Sequence, residues 1–258
     1  MNSYISKHSV MGMLSKRYHP FGDWSGFQKN RKEVVSFYGE KIEELKKFPK
    51  INLHYQKDKK IEIEGYEKTS SYNGTQVFSN FNQDFFSLKG KKWSEIREAR
   101  NHYNKKIRIE DSIPVYYAIN FLERWKETYG KKYGWQQHTG YDINFFNKFY
   151  KEEESELWGL SFWLGDKFVG YSVVSRYLPP NGTQNCFNYI IRKADNRYRN
   201  LCLYIDYKTF EWIWEEKRND FWINWGASSG GVLKYKKKFP VYLEDKLWFN
   251  KYKREDYV

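Results

Sequence analysis

Residues 157–175 read LWGLSFWLGDKFVGYSVVS, two apolar runs separated by Gly165, Asp166 and Lys167. Each run has the length of a buried strand, and a Gly-Asp pair between two such runs favours a tight turn. The sequence therefore predicts an antiparallel hairpin here. It is the clearest hairpin signal in the chain, so the other elements are assigned outward from it.

On both sides of the hairpin, strand and helix patterns alternate. Downstream, the patterns predict a strand at 183–192, a helix at 201–217, a strand at 221–225, a basic helix at 232–239 and one or two strands at 241–252. Upstream, they predict a strand at 107–110, a helix capped by Asp111 or Ser112 and ending at Gly130, and a helix from Asp142 to about Tyr150. The order from residue 107, β-α-α-β-β-β-α-β-α-β, is that of an α/β chain whose mixed sheet carries helices on its faces.

The first third of the chain gives weaker signals. We expect an irregular lead-in at 1–28, an amphipathic helix at 30–47, strands at 51–55 and 60–64, a turn at Asn73 and Gly74, and a mixed strand and loop at 76–88. A helix follows Gly90, in a stretch (89–108) with eight basic and two acidic residues. These patterns divide the chain into a helix-plus-strands region, 1–83, packed on the core, and a domain, 84–258.

Composition excludes several classes of protein. The 258 residues include only two cysteines, too few for a disulfide scaffold or a cysteine-based zinc cluster, and an aromatic content of 21% excludes disorder. The longest nearly apolar run, 157–164, is far shorter than the roughly 20 residues of a membrane span. Without an apolar core in its first 17 residues, we expect no signal peptide, a cytoplasmic location and reduced thiols. The net charge of +13 favours a polyanionic partner such as nucleic acid.

Two segments carry a resemblance to a known family. The element order and the Gly-Asp-Lys hairpin resemble the GNAT acyltransferase fold. The segment LKGKKW at 88–93, with Arg97, Arg100 and Asn101, is similar to the L-x-G-K-K-[WY]…R…R-N helix of one branch of that superfamily. That branch comprises the synthase domain of phosphatidylglycerol lysyltransferases and its DUF2156 relatives, akin to Fem-type aminoacyltransferases. NWGAS at 224–228 followed by YKKKF at 235–239 is similar to its late G…F-K-x-K-F segment.

The resemblance covers about residues 84–250, and tandem relatives suggest that residues 1–80 are a degenerate first GNAT-like half. Members of this branch take their acyl group from aminoacyl-tRNA. The coenzyme A loop of ordinary GNAT enzymes, [RQ]-x-x-G-x-[GA], corresponds here to RYRNLC at 197–202. Asn200 and Cys202 replace its small residues, and their side chains would keep a pyrophosphate from the backbone. We therefore expect an aminoacyl-tRNA donor and no tightly bound cofactor, with acyl-CoA as the alternative donor.

Aminoacyl transfer from an ester needs a held acceptor, a proton route and stabilisation of an oxyanion, without a covalent enzyme intermediate. The predicted catalytic residues are Lys236, Lys238 and Tyr235, with His138, Asp142 and Glu211 as further acid/base candidates. No metal site is expected, because the histidines lack metal-ligand spacing. The predicted substrate- and tRNA-binding residues are Lys92, Arg97, Arg100, Asn101, Arg197, Arg199, Asn224, Trp225 and Ser228.

Other functions fit the same residues. A solvated helix face accounts equally for the lysines near 236, and a surface helix for the basic residues after Gly90. The alternatives to an aminoacyltransferase are a GNAT-like enzyme that modifies a nucleic-acid base, an acyl-CoA N-acyltransferase, and a non-catalytic nucleic-acid-binding protein. The acceptor and the transferred amino acid stay open.

Overall fold

The computed structural model describes residues 18–21, 24–30, 33–37, 43–56, 61–134, 136–150, 157–177, 186–228 and 230–257. Its strands are β1 Tyr18–Phe21, β2 Trp24–Asn30, β3 Glu33–Phe37, β4 Lys50–Gln56, β5 Tyr66–Phe81, β6 Ile107–Glu110, β7 Leu157–Leu164, β8 Lys167–Tyr177, β9 Cys186–Ala194, β10 Phe221–Ser228 and β11 Val241–Arg254. Its α-helices are α1 Gln83–Phe86, α2 Ser94–Tyr103, α3 Val115–Trp125, α4 Gln136–Phe145, α5 Leu201–Lys217 and α6 Gly230–Lys236. Short 3-10 turns stand at Glu43–Leu45 and Lys91–Trp93, and α3 and α4 continue into the π-helical turns Lys126–Gly130 and Phe146–Tyr150.

The strands form one mixed sheet of eleven strands in the order β1-β2-β3-β4-β11-β5-β10-β9-β8-β7-β6. Among the strands that the structure describes, the pairs β3–β4 and β9–β10 are parallel and the other pairs are antiparallel. On one side of the sheet, β1, β2 and β3 form an antiparallel meander, β4 adds in parallel, and β4 then pairs with the long strand β11. On the other side, β6 to β9 form an antiparallel meander, β10 adds in parallel, and β10 then pairs with the long strand β5. The first central strand, β5, pairs with β10, whereas the last strand, β11, returns to pair with β4. Each side of the sheet is therefore completed by a strand from the opposite end of the described chain.

Two apolar cores cover the two faces of the β5–β10 side of the sheet. One contains the buried faces of α2 and α5 and includes Phe81, Phe210 and Phe221. The other lies under α3 and α4. The side chain of Ile205 on α5 packs directly on β8 at Gly170, where a Cβ would lie 2.5 Å from Ile205 Cδ1 and 2.7 Å from the Lys193 carbonyl oxygen of β9. A smaller core joins β4 and β11 to the turn at Glu43–Leu45.

The predicted order of elements after residue 107 is confirmed, including the hairpin and the bounds of α5. Several helix ends differ, and the basic helix predicted at 232–239 spans Gly230–Lys236. The helix predicted to be capped by Asp111 or Ser112 begins at Val115, because Ile113 is buried and Pro114 is extended at its N-cap. It continues past Gly130 to Gly134, whose left-handed conformation ends it. Asp142 lies within α4 and does not begin a helix.

In the first third of the chain, the structure differs from four predictions. The helix expected at 30–47 is wrong: residues 33–37 form β3, and the β-branched pair Val34 and Val35 joins a sheet between β2 and β4. Residues 61–64 do not form a strand, and the side chain of Ile63 packs in the small core. Asn73 and Gly74 are not a turn but lie in mid-β5, opposite Trp248 and Leu247. The lead-in contains strands β1 and β2, with residues 1–17 outside the described part. The residues at 241–254 form one strand.

No helix in the described part of the chain is long and apolar enough to cross a bilayer.

Candidate active site

Strands β9 and β10 part near the middle of the sheet. They pair in parallel only where Trp222, Ile223 and Asn224 face residues 186–188, although β9 continues to Ala194 and β10 to Ser228. On its other side, β10 shifts register against β5 between Asn224 and Ala227, which is a β-bulge. Bulges redirect side chains and end pairing, and they recur beside active sites.

The side chain of Asn224 fixes this bulge. Its Oδ1 accepts a hydrogen bond from the backbone N–H of Gly226 at 2.9 Å, and its Nδ2 donates to Asn188 Oδ1 at 2.9 Å. Gly226 has φ +68°, a conformation that favours glycine. These two hydrogen bonds of Asn224 position the backbone of the bulge.

Lys236 is buried against the same bulge. Its Nζ donates to the carbonyl oxygens of Trp225 at 2.6 Å and Gly226 at 2.7 Å, and its side chain is almost wholly enclosed. Burial, aided by the nearby positive charge of Arg192, lowers the pKa of Lys236 to about 7. Both protonation states of this amine are therefore populated at neutral pH.

Beside Lys236 lies a buried carboxylate network, here called the Asp206 cluster: Asp206, Arg192, Tyr189 and Tyr235. The hydroxyl of Tyr235 donates to Asp206 Oδ2 at 2.5 Å, and that of Tyr189 donates to Asp206 Oδ1. Arg192 Nε forms an ion pair with Oδ1 at 3.0 Å. Burial raises the pKa of Asp206, against the lowering effect of Arg192, and burial raises the pKa of both tyrosines well above the ordinary range.

Of this cluster, only Tyr235 was predicted from the sequence. Tyr189 and Arg192 are three residues apart, so simple strand alternation places them on opposite faces. The register of β9 against β8 shifts between residues 189 and 191, and this irregularity lets both side chains reach Asp206. The available signal was Asp206 itself, a carboxylate on a helix whose other positions are mostly apolar and buried.

Trp225 lies at the site but belongs to its apolar wall. Its Nε1 donates to Ser79 Oγ at 2.8 Å, and its ring packs 5.2 Å from Tyr189 and 5.1 Å from Phe239, between ring centroids. Ser228 ends β10, and its side chain is outside the described part.

Lys238 does not join Lys236. Its ammonium pairs with Glu95 on α2, in a partly exposed position. Lys234 is exposed on α6. The predicted catalytic trio therefore separates into Lys236 and Tyr235 at the bulge and Lys238 in a contact that links the end of α6 to α2.

The predicted tRNA-binding residues on and just before α2 make separate contacts in the structure. Arg97 Nη1 donates to the carbonyl oxygens of Leu88 at 2.6 Å and Gly90 at 3.2 Å, which stabilises the loop before the helix. Lys92 is exposed and lies over the ring of Trp93. Arg100 is half-buried beside the hydroxyl of Tyr207, and Asn101 is exposed.

The loop before α5 is folded on itself. Arg197 pairs with Asp195 through its guanidinium and its backbone N–H, and the N–H groups of Tyr198 and Leu201 donate within the loop. Burial acts to raise the pKa of Asp195, but the hydrogen bonds from Arg197 outweigh it and lower that pKa. Arg199 is exposed, and its carbonyl accepts from the hydroxyl of Tyr103 at 2.7 Å.

The other acid/base candidates lie elsewhere. Asp142 pairs with Lys193 at 3.1 Å under α4, on the opposite face of the sheet. Glu211 accepts from Tyr207 at 2.7 Å and from Lys208 at 2.5 Å. The side chain of His138 is outside the described part. Among the described residues, no group of three or more potential metal ligands is brought together.

No family model matches this chain, and no curated protein matches it in sequence. Solved structures do. A conserved protein of unknown function from Bacteroides thetaiotaomicron VPI-5482 has 16% identity and TM-score 0.62, over 96% of this chain and 92% of that one. The C-terminal DUF2156 domain of a putative lysylphosphatidylglycerol synthetase from Agrobacterium fabrum has 11% identity and TM-score 0.53, over 94% and 90%.

A tandem GNAT protein from the clavulanic acid biosynthesis pathway has 7% identity and TM-score 0.50, over 91% of this chain and 79% of that one. Identities this low carry the fold alone. The chain has the GNAT fold, in a form shared with a DUF2156 domain and a tandem GNAT protein.

Proposed function

We propose that this protein is an acyltransferase that moves an aminoacyl group from aminoacyl-tRNA to an amine or hydroxyl acceptor. The observation that carries the proposal is the position of Lys236, whose buried Nζ is fixed at the point where β9 and β10 part. An amine whose pKa lies near neutral pH, and which is held in a bulge of the sheet, is suited to proton transfer at a reacting acyl group. A cytoplasmic location follows from this donor.

Lys236 accepts the proton of the acceptor. A neutral amine has two N–H groups, which match the two carbonyl oxygens of Trp225 and Gly226, and its lone pair stays available. The acceptor nitrogen or oxygen attacks the ester carbonyl and forms an amide or ester bond. The ester bond to the ribose breaks, and the ribose oxygen takes the proton that Lys236 received.

The protonated form of Lys236 has a third N–H, which supplies a donor to the oxyanion of the tetrahedral intermediate. Tyr235 stays protonated because burial raises its pKa, and its hydroxyl is held on Asp206. Its role is to position α6 and Lys236 against the bulge.

The charge of the α2 surface supports a tRNA donor. The exposed residues Lys89, Lys91, Lys92, Lys105 and Lys106 lie on or beside α2. Two contacts join this helix to segments next to the site: Glu95 at its start pairs with Lys238, two residues after Lys236, and Tyr103 at its end donates to the carbonyl of Arg199, before α5. A cluster of exposed ammonium groups attracts a phosphate backbone, and such binding weakens as salt rises.

The folded loop before α5 supports tRNA over coenzyme A. The N–H groups of Arg197, Tyr198 and Leu201 already have acceptors within the loop, so they are not free to hold a pyrophosphate.

The test is donor discrimination with matched variants. Bulk tRNA charged with radiolabelled amino acids, and separately acetyl-CoA, are mixed with the protein and a panel of amines, dipeptides and phosphatidylglycerol vesicles. We expect transfer from charged tRNA, inhibition by salt, and loss of about a hundredfold or more in rate for Lys236→Met, the magnitude of a general base. Lys234→Met, in the same helix and exposed, keeps the rate. Transfer from acetyl-CoA alone would overturn the tRNA donor, and equal rates for Lys236→Met would overturn the role of Lys236.

A further inference from the structure

Arg192 is held rigidly at the parting of β9 and β10. Its Nε lies 3.0 Å from Oδ1 of the buried Asp206, and its guanidinium carbon lies 4.8 Å from the ring centroid of Tyr235. An ion pair at one edge and an aromatic ring against the face together fix the plane of a guanidinium. About a quarter of the side chain (24%) is exposed, while Nε itself is enclosed.

The far edge of the same guanidinium is unused. Arginine carries five N–H donors in a planar fork. Neither terminal nitrogen of Arg192 makes a hydrogen bond to any residue that the structure describes. A guanidinium whose plane is fixed by an ion pair and an aromatic ring, and whose terminal nitrogens remain accessible and unpaired at a candidate active site, indicates a ligand.

We propose that Arg192 anchors an oxyanion of the substrate, a carboxylate or a phosphate, through its two terminal nitrogens. This inference rests on the proposed function, because it assigns the anchor to the same site. A guanidinium edge donates two parallel hydrogen bonds to two oxygens of one such group. Since Nε is buried and faces Asp206 in an ion pair, the end formed by the two terminal nitrogens is the edge that remains for a ligand.

The charges around Arg192 favour an anion. Asp206 on α5 is the carboxylate in contact with it, and its charge is shared with Arg192 and two tyrosine hydroxyls. Lys236 on α6 adds a positive charge when protonated, and Tyr189, Tyr235 and Cys202 are the other titratable neighbours. The cluster is therefore neutral or positive before a ligand binds.

Two parts of the substrates carry such an oxyanion: the phosphodiester at the 3′ end of tRNA, and a carboxylate on the acceptor. Two probes separate them. The trinucleotide CCA has phosphodiesters and no carboxylate, with adenosine as its uncharged counterpart. N-acetylglycine has a carboxylate and no phosphate, with N-acetylglycinamide as its uncharged counterpart.

The experiment is a ligand-observed NMR titration of each probe at low ionic strength. The wild-type protein is compared with Arg192→Met, Arg192→Lys and Arg124→Met, the last an equal loss of charge at an exposed position of α3. We expect at least one anionic probe to lose about tenfold or more in affinity in Arg192→Met, as for removal of a charge-assisted pair of hydrogen bonds. Arg192→Lys recovers part of this loss, and Arg124→Met matches the wild type.

The uncharged counterparts should bind the wild type and Arg192→Met equally. Loss of only the trinucleotide assigns the anchor to tRNA, and loss of only N-acetylglycine assigns it to the acceptor. Equal binding of both anions to wild type and Arg192→Met, or no binding of either to the wild type, overturns the proposal.

Removing Arg192 leaves a buried carboxylate unpaired, so Arg192→Met alone risks unfolding. The double variant Arg192→Met/Asp206→Asn removes both charges and keeps a polar partner for each tyrosine, an amide oxygen that accepts from one hydroxyl and an amide N–H that donates to the other, and it should show the same loss of anion binding. Because these probes carry no acyl group, the result is independent of transfer. Transfer from charged tRNA with unaltered anion binding in Arg192→Met contradicts this inference alone, whereas Arg192-dependent binding without transfer contradicts the proposed function alone.

Discussion

The side-chain Nζ of Lys236 and the carbonyl oxygen of Trp225 lie 2.6 Å apart, and their hydrogen bond joins α6 to the bulge of β10. With the second bond to Gly226, at 2.7 Å, it gives the amine two fixed acceptors. A neutral amine still has two N–H groups for them. Loss of a proton from Lys236 therefore preserves the contacts that position it, and its pKa of about 7 places that loss near neutral pH.

The free energy of unfolding should depend on pH through Lys236. Its pKa is about 7 in the folded protein and near 10.5 in the unfolded chain, so between these values the unfolded chain binds more protons. Stability should therefore rise from pH 7 to 9, by at most about 1.4 kcal/mol per pH unit from this group. Urea unfolding of the wild type and Lys236→Met at pH 7, 8 and 9 measures it. The variant should lack this rise of the free energy of unfolding with pH. The same pH dependence in the wild type and the variant would contradict the lowered pKa of Lys236.

The pH profile of transfer should show the same group. If Lys236 is the proton acceptor, kcat/KM rises with pH through about 7 and then levels off. Lys236→Arg keeps a cation but holds its proton throughout this range, so it should be slow and lack the rise. Stopped-time transfer assays between pH 5.5 and 9 give the profile. A wild-type profile in Lys236→Arg would show that another group takes the proton.

The charges of the Asp206 cluster should be strongly coupled. Arg192→Met leaves a buried carboxylate without its cation and should cost about 3–5 kcal/mol of stability. Asp206→Asn added to Arg192→Met removes the uncompensated charge and should restore much of that loss. Chemical unfolding of the wild type, both single variants and the double variant completes the cycle. Additive effects would mean that the pair does not interact.

Arg97 should contribute to the free energy of unfolding through its contacts with the loop before α2. Its Nη1 donates to the carbonyls of Leu88 and Gly90, and Leu88 has φ +48°, an uncommon conformation for its residue type. Arg97→Ala should lower the free energy of unfolding by about 1–3 kcal/mol because the partly buried carbonyl of Leu88 loses its charged donor. The matched control is Lys92→Ala, at an exposed position, expected to change it by less than about 0.5 kcal/mol. Equal effects of the two variants would contradict the role given to Arg97.

The second half of the fold was readable from sequence because local patterns agree with tertiary structure there. The apolar run of β7, the Gly-Asp turn at Gly165 and the helical spacing of α5 are all local signals, and each element occurs as predicted. The first third was not readable for the opposite reason. Helix-like spacing in 30–47 is overridden by pairing of β3 with β2 and β4, and Asn73-Gly74 is extended because β11 pairs along both residues. Long-range pairing of this kind leaves little local signal.

The site shows the same division. A resemblance in short motifs pointed to Lys236, Tyr235 and Asn224, and the structure places them around one bulge. Arg192 and Tyr189 were missed because an irregularity in β9 changes which side chains share a face. The lysines at 236–238 differ in burial: Lys236 is enclosed, whereas Lys238 pairs with Glu95. Sequence periodicity alone does not predict this difference.

The late position of β11 in the chain affects how the sheet can form during synthesis. β11 comes after every other described strand and pairs with both β4 and β5. During synthesis, β4 lacks its neighbour on this side, and β5 has only β10, until residues 241–254 have left the ribosome. Earlier parts can acquire helices and the β7–β8 hairpin, but the two sides of the sheet cannot be joined before then. A ribosome stalled before Val241 would hold a nascent chain with an open edge on β5, the kind of exposed strand that chaperones bind and that aggregates when left uncovered.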